Sequence, residues 1–301
     1  MDLIRANGFG GGIAALGCQG ESSPGAKRIR YCRAHEPEGG AVILKDKTVI
    51  VSGVGPGLGG AIARCAVRDG ANVVIAARNA AKLDAIAKEL DPSGRRVAAH
   101  AFDITSAAAC DGLVAFAEQR FGGVDALIQV AALDAAFGTL ESTTAEQWRS
   151  VMEVNVIGST QLCKSVAPAM KRRGGGAIVL IGSQSHNHPP DMAQLAYASS
   201  KGALLSAMYQ MAVELGPAKI RVNTVIPTWM WGPPVQGYVR WQAKEQGTSE
   251  DEIVAHIAKR FPMREIPPDD DVAEVAVLFA SDRMRMVTGQ SLRVDAGEKL
   301  G

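Results

Sequence analysis

The sequence has little that would mark a secreted, metal-bound or nucleic-acid-binding protein. Its five cysteines, Cys18, Cys32, Cys65, Cys110 and Cys163, are odd in number and none forms a C-x-x-C pair, so neither a disulfide framework nor a metal site is expected. Cys65 and Cys163 fall within helical patterns and read as core filler. Formal net charge is only +1 and no basic cluster stands out, which argues against a nucleic-acid partner. No apolar run approaches ~20 residues, so no membrane partner is expected and the chain reads as cytoplasmic. Aromatic residues make up only 5% of the chain, yet Trp229, Trp231, Tyr238 and Trp241 crowd into one stretch.

What is there suits one large α/β domain or two smaller ones: 301 residues, 47% of them hydrophobic. Residues 1–44 differ from the rest. Gly8 to Gly12, then Pro24-Gly25, then Lys27-Arg28-Ile29-Arg30 show no sustained period, so a disordered extension is expected. Ile13 to Leu16 is too short for a secretory h-region. A basic targeting segment and a start assigned too far upstream are the alternatives, and the abrupt onset of pattern near Lys45 favours the second. Residues 45–301 are then the folded domain.

Within that domain, short apolar runs alternate with helical patterns. Strands are expected over Thr48–Ser52, Asn72–Ala77, Val97–Phe102, Val124–Val130, Ala177–Ile181, Arg221–Ile226 and Val287–Val294. Helices are expected over Asn79–Leu90, Ala107–Phe121, Thr143–Arg173 and Ala196–Leu215. Such alternation predicts a Rossmann-like doubly wound parallel sheet covered by helices on both faces. After the first strand comes Gly53-Val54-Gly55-Pro56-Gly57-Leu58-Gly59-Gly60. A strand, a glycine loop and a helix start together make a place for a pyrophosphate, because glycine admits close approach and the helix end offers N–H groups. Two templates fit, and Gly53-x-x-x-Gly57-x-Gly59 is preferred because its first glycine ends the strand.

Arg78 follows the second strand, where an arginine accommodates the 2′-phosphate of NADP and an acid would select NAD. NADP is therefore expected, with NAD as the alternative. Asp103 closes the third strand; it could accept a hydrogen bond from adenine or cap the helix near Ser106. Asn155 sits mid-helix, where its side chain competes with the backbone ladder, so it calls for exposure or a local reason.

Tyr197 and Lys201, four apart on an expected helix, share one face. A free phenol titrates near pH ~10, and a nearby ammonium would favour the phenolate. Ser183, ending the fifth strand, could bind the same substrate oxygen.

Taken in order, Gly53-x-x-x-Gly57-x-Gly59, Asp103, Asn155, Ser183, Tyr197-x-x-x-Lys201 and Thr288-Gly289-Gln290 resemble the classical short-chain dehydrogenase/reductase family over about residues 45–297. The resemblance implies that Tyr197 is the general acid/base, that Lys201 lowers its pKa and binds the nicotinamide ribose, that Ser183 orients the substrate oxygen and that Asn155 anchors a water in a proton relay. It implies cofactor contacts at Gly53, Gly57, Leu58, Gly59, Arg78, Asp103, Ile104, Ala131, Tyr197, Lys201 and Pro227. It also implies a homotetramer, for which Leu204, Leu205, Met208 and Met211 supply candidate apolar faces.

Three places depart from the family pattern. Gln129-Val130-Ala131-Ala132 replaces Asn-Asn-Ala-Gly; Gly232 stands where a threonine would contact the carboxamide; and Ser183 lies fourteen residues before Tyr197, one more than usual, with His186, Asn187 and His188 between. Residues 228–262 correspond to the family's substrate lid, and their aromatics favour an apolar or cyclic substrate. The expected activity is interconversion of a secondary alcohol and a ketone. The alternatives are a 3-oxoacyl carrier-protein reductase and, in another class, a non-catalytic dinucleotide-binding regulator or scaffold.

Overall fold

The computed structural model describes residues 42–190 and 192–300. The expected extension therefore lies almost wholly outside the described residues. Leu44, one position before the expected boundary, is fully buried, and its N–H donates to Asp69 O.

Seven strands, β1 (Thr48–Ser52), β2 (Asn72–Ala77), β3 (Val97–Ala101), β4 (Ala126–Gln129), β5 (Gly176–Ile181), β6 (Ile220–Pro227) and β7 (Ser291–Val294), form one sheet in the order β3-β2-β1-β4-β5-β6-β7. Every pairing is parallel. Side chains of a strand alternate between faces, so a sheet covered on both sides needs apolar residues at every position. β1 shows this: Val49 and Val51 pack into one core, while Ile50 packs into the other.

The first core lies under α1 (Leu58–Arg68) and α9 (Asp269–Ala280); the second lies under α3 (Ala107–Phe121), α5 (Ser159–Arg172) and α6 (Leu195–Leu215). Each fully buried Leu, Ile or Val in them contributes about 1.5–3 kcal/mol. Leu204 and Met208, expected to face a neighbouring subunit, belong to the second core and are 3% and 0% exposed. Burying them there stabilises the chain itself, so they are unavailable to a partner. The exposed apolar side chains of α6 are Tyr209 and Val213.

The remaining helices are α2 (Ala80–Leu90), α4 (Ala145–Met152), α7 (Pro233–Gln246) and α8 (Glu250–Ala258). α4 starts with a capping box: Thr144 accepts from Gln147 N, and Gln147 Oε1 accepts from Thr144 N. The helix expected over Thr143–Arg173 is continuous, but residues Glu153–Gly158 form a π-helical turn between α4 and α5. Asn155 lies within that turn and is 1% exposed. The local reason for a mid-helix asparagine is thus a widened turn, a feature frequent at functional sites.

The order of the strands reverses between β1 and β4. At such a switch point the loops that leave two neighbouring strands run to opposite sides, which opens a crevice beyond their carboxyl ends.

Candidate active site

The crevice is a cleft of about 920 Å³ lined by both the glycine loop and the tyrosine helix. Its walls include Gly53, Gly57, Leu58, Arg78, Asp103, Ile104 and Ala131 on one side. Ser183, Tyr197, Lys201, Pro227, Trp229 and Tyr238 stand on the other. Of the expected site residues, Gly59 and Asn155 are the two that support the walls from behind.

Two of the glycines show why the loop requires them. Gly53 has φ +88°, and a Cβ there would lie 2.3 Å from Ala131 N. A Cβ on Gly59 would lie 2.4 Å from Gly53 O. The loop therefore packs backbone on backbone and delivers the start of α1 to the cleft. Gly57 caps α1 with no side chain, and no acidic residue occupies its first turn, so the N–H end is open to an anion. These features fit the pyrophosphate of a dinucleotide.

Arg78 is exposed at the end of β2, and its charge helps hold the Asp103 carboxyl below the usual carboxylate range. The larger cause is Thr105, whose N–H and Oγ1 both donate to Asp103 Oδ1, at 3.0 and 2.8 Å. Ser106, rather than Asp103, caps α3. Gln129 takes over where the family's asparagine is missing. Its buried Nε2 donates to Ala131 O at 3.1 Å and to Ser159 Oγ at 3.0 Å, tying the exit of β4 to α5.

Asn155 holds the same exit one step further along. Its Oδ1 accepts from Leu133 N at 2.7 Å, and its Nδ2 donates to Leu133 O at 3.1 Å and to Ser200 Oγ at 3.0 Å. Ser200 Oγ in turn donates to Tyr197 O. The π turn thus locks the β4 loop to the helix that carries Tyr197 and Lys201.

Lys201 is 4% exposed, and its Nζ donates to Ile181 O at 2.8 Å. Burial disfavours the ammonium and pushes its pKa down to about 8, against the opposing pull of Asp134. Tyr197 is pushed up to about 12, first by burial and also by Asp134, while its hydrogen bond with Ser183 works the other way. The expected lowering of Tyr197 by Lys201 is not what prevails in this structure: Nζ sits 5.7 Å from the ring centroid, and desolvation dominates. Ser183 Oγ also lies 2.9 Å from Ser185 Oγ. His186 Nδ1 meets Ser183 O at 2.6 Å, and of the two loop histidines it is His188 that lines the cleft.

The segment over the cleft is two helices, in keeping with its prolines and glycines. Pro233 and Pro234 open α7 after Gly232, Gly247 ends it in the left-handed conformation, and Ser249 caps α8. Trp229 and Tyr238 meet edge-on at 5.1 Å and face the cleft, whereas Trp241 is 47% exposed.

Sequence reasoning missed Glu298. Its carboxylate, 4% exposed, accepts from Arg260 Nε at 2.8 Å, from Gln184 Nε2 at 3.1 Å and from Thr228 Oγ1. It joins the segment beyond β7 to the neighbour of Ser183, to the end of β6 and to the residues after α8. An acid outside any periodic element carries no signal of such a role.

Among the described residues there is no group of three or more His, Cys, Asp or Glu that could hold a metal ion, and no helix is long and apolar enough to cross a membrane.

The sequence profile of a family described as enoyl-(acyl carrier protein) reductase matches residues 53–299. The chain is 30% identical over 255 residues to dehydrogenase/reductase SDR family member 4 of Sus scrofa, covering 84% of this chain and 88% of the relative. Among solved structures, an L-sorbose reductase from Gluconobacter frateurii complexed with NADPH and L-sorbose superposes with a TM-score of 0.80 at 26% identity, covering 85% of this chain and 98% of that one. An actinorhodin polyketide ketoreductase with NADPH gives 0.76 at 28% identity, covering 84% and 97%. With an all-parallel sheet, a glycine loop at its switch point and a Tyr-x-x-x-Lys helix across the cleft, the chain belongs to the short-chain dehydrogenase/reductase family of oxidoreductases, whose cofactor is a nicotinamide dinucleotide.

Proposed function

We propose that the protein interconverts a secondary alcohol and a ketone with NADP, its substrate being apolar or cyclic and its site being Asn155, Ser183, Tyr197 and Lys201. The observation that carries this reading is the convergence of Ser183, Tyr197 and Lys201 on the same cleft as the glycine loop. Gly53, Gly57, Leu58 and Gly59 would hold the pyrophosphate, Arg78 the 2′-phosphate, Asp103 and Ile104 the adenosine side, and Ala131 and Pro227 the nicotinamide side. Held there, the nicotinamide would supply or accept the hydride.

Every other step falls to the chain's own groups. Ser183 Oγ donates to the substrate oxygen, which places that oxygen against the Tyr197 hydroxyl. In reduction, Tyr197 gives this oxygen its proton; in oxidation, it takes the proton back. A phenol at about 12 is fully protonated at neutral pH and so is ready to donate. A buried Lys201 ammonium beside the phenolate would offset the charge left behind. Trp229 and Tyr238 line the substrate side with aromatic surface, and α7 and α8 act as a lid that excludes water.

The 3-oxoacyl reductase reading uses the same groups and needs a basic docking face. The Tyr197–Lys201 spacing separates this chain from enoyl reductases of the family, which space the pair more widely. A non-catalytic scaffold has no use for a buried Lys201 one turn from a cleft-lining Tyr197. We further propose a cytoplasmic homotetramer, with the exposed Ile157, Tyr209 and Val213 as contacts.

A screen of secondary alcohols and ketones with NADP(H) and NAD(H), read at the nicotinamide absorbance, tests the function. Turnover of apolar or cyclic ketones with NADPH is expected; dinucleotide binding without turnover of any carbonyl would favour the scaffold.

A further inference from the structure

One acidic side chain faces the place where the dinucleotide reading puts a pyrophosphate. Asp269 is the first residue of α9 and lines the cleft. Its Oδ2 lies 3.4 Å from where a Cβ on Gly57 would stand and 2.5 Å from where a Cβ on Gly232 would stand. Gly57 caps α1 and Gly232 caps α7, both without a side chain. Three helix starts therefore surround this carboxylate, and no hydrogen bond among the described residues engages it. The room that a side chain at Gly232 would need is taken by Asp269.

We propose that Asp269 supplies, from α9, the cofactor contact that Gly232 lacks, and that it does so as the neutral carboxylic acid, so that dinucleotide binding takes up one proton at this side chain. The proposal rests on the dinucleotide reading of the cleft. A carboxylate and a pyrophosphate repel each other at such range, whereas a carboxylic acid donates a hydrogen bond to a phosphate oxygen or to the carboxamide oxygen.

The surroundings keep that proton within reach of neutral pH. Burial and the neighbouring Asp270 push Asp269 up to about 6, and Arg64 on α1 pulls it down. Arg64 is itself occupied by Asp270 at 2.8 Å. Gly57 and Gly232 bring only backbone, Asp271 follows on the same helix, and the other titratable or charged groups lining the cleft are Arg78, Asp103, Asp134, His188, Tyr197, Lys201, Tyr238, Arg260 and Glu298. Because binding consumes a proton, affinity is highest below about pH 6 and falls above it, by a limiting ~tenfold per pH unit for one proton.

The test is calorimetric titration of the full chain with NADP+ across this range, in two buffers of different ionisation enthalpy. The 2′-phosphate titrates in the same region, with a pKa of about 6. The quantity read is therefore the difference between wild type and Asp269→Asn, with melting temperatures confirming that both are folded. Wild type is expected to take up close to one more proton than Asp269→Asn and to lose affinity with pH more steeply. A second pair uses the space itself: Asp269→Gly should weaken binding at pH ~6 by roughly tenfold, the worth of one hydrogen bond, and adding Gly232→Thr should restore it without the proton uptake. Equal proton uptake and equal pH slopes in wild type and Asp269→Asn overturn the proposal while leaving the dinucleotide reading standing. Absence of NADP+ and NAD+ binding to wild type at every pH overturns both.

Discussion

The two walls of the cleft are built by different means. The wall at β1 and α1 is made of backbone: Gly53 and Gly59 remove side chains so that strand, loop and helix can touch, and the groups it offers to the cleft are main-chain N–H donors. The wall at α6 is made of buried side chains. Asn155, Ser200 and Lys201 are each at most 4% exposed and hold one another or nearby carbonyls. A backbone wall tolerates no added atom, whereas a side-chain wall tolerates no lost one.

The largest effect should come from removing one reacting atom. Tyr197→Phe leaves the ring packed and takes away the hydroxyl, so turnover should fall by the ~10²–10⁴ of a lost general acid/base while cofactor affinity stays within a fewfold. Turnover close to wild type would show that the side-chain wall is not the chemical one. Next, Gly53→Ala adds one atom to the backbone wall. The left-handed backbone and the overlap with Ala131 N should together cost about 2–5 kcal/mol in stability, read as a lower melting temperature and lost dinucleotide binding. A variant that melts and binds like wild type would contradict the close packing.

Arg78→Ala should separate the cofactors. Loss of a charge-assisted contact of ~1.5–3 kcal/mol weakens NADPH roughly ten- to a hundredfold and leaves NADH unchanged. Equal loss for both would make Arg78 structural.

The effect with the least bearing on turnover is the pH dependence of stability, and its rising part belongs to the side-chain wall alone. Lys201 is pushed from 10.5 to about 8. Between these values the unfolded chain holds the proton and the folded chain does not, so stability rises with pH across that window. Tyr197 is pushed from 10.0 to about 12, and between those values the folded chain alone holds the proton, so stability falls. Burial likewise pushes the thiols of Cys65, Cys110 and Cys163 up from 9.0 to about 12, 11 and 12, so melting temperature should rise above about pH 8 and fall once the pH passes about 9. Lys201→Met should abolish the rising limb, and a rise that persists in this variant would assign it to another group.

The same contrast explains what could be read before the structure was known. The backbone wall is local, so Gly53, Gly57 and Gly59 announce it by spacing, and the β-branched runs at Thr48–Ser52 and Asn72–Ala77 match β1 and β2 at both ends. Tyr197 and Lys201 were legible for the same reason, being one helical turn apart. What escaped was long-range. Gln129 reaches Ser159, Asn155 reaches Leu133, and Glu298 reaches Gln184, more than a hundred positions away. A buried carboxylate looks the same in sequence as a solvated one. The apolar helix 195–215 likewise hid which of its faces is core, since Leu204 and Val213 read alike but lie on opposite sides of the burial scale.

The π turn at Glu153–Gly158 also sets the phase of the long helix around it. One residue in an α-helix advances the side-chain direction by about 100°. A π turn holds more residues than an α turn, so the apolar stripe after Asn155 is rotated relative to the one before it. Val151 accordingly packs with Ala136 and Ala196 in a small cluster of its own, while Leu162, Cys163, Val166 and Met170 enter the second core. A single helical wheel drawn through 145–172 would blur the two stripes into one weakly amphipathic rod. Deleting one residue within 153–158 would swing α5 out of phase with its core as surely as a charge placed inside it, with every side chain of α5 still present.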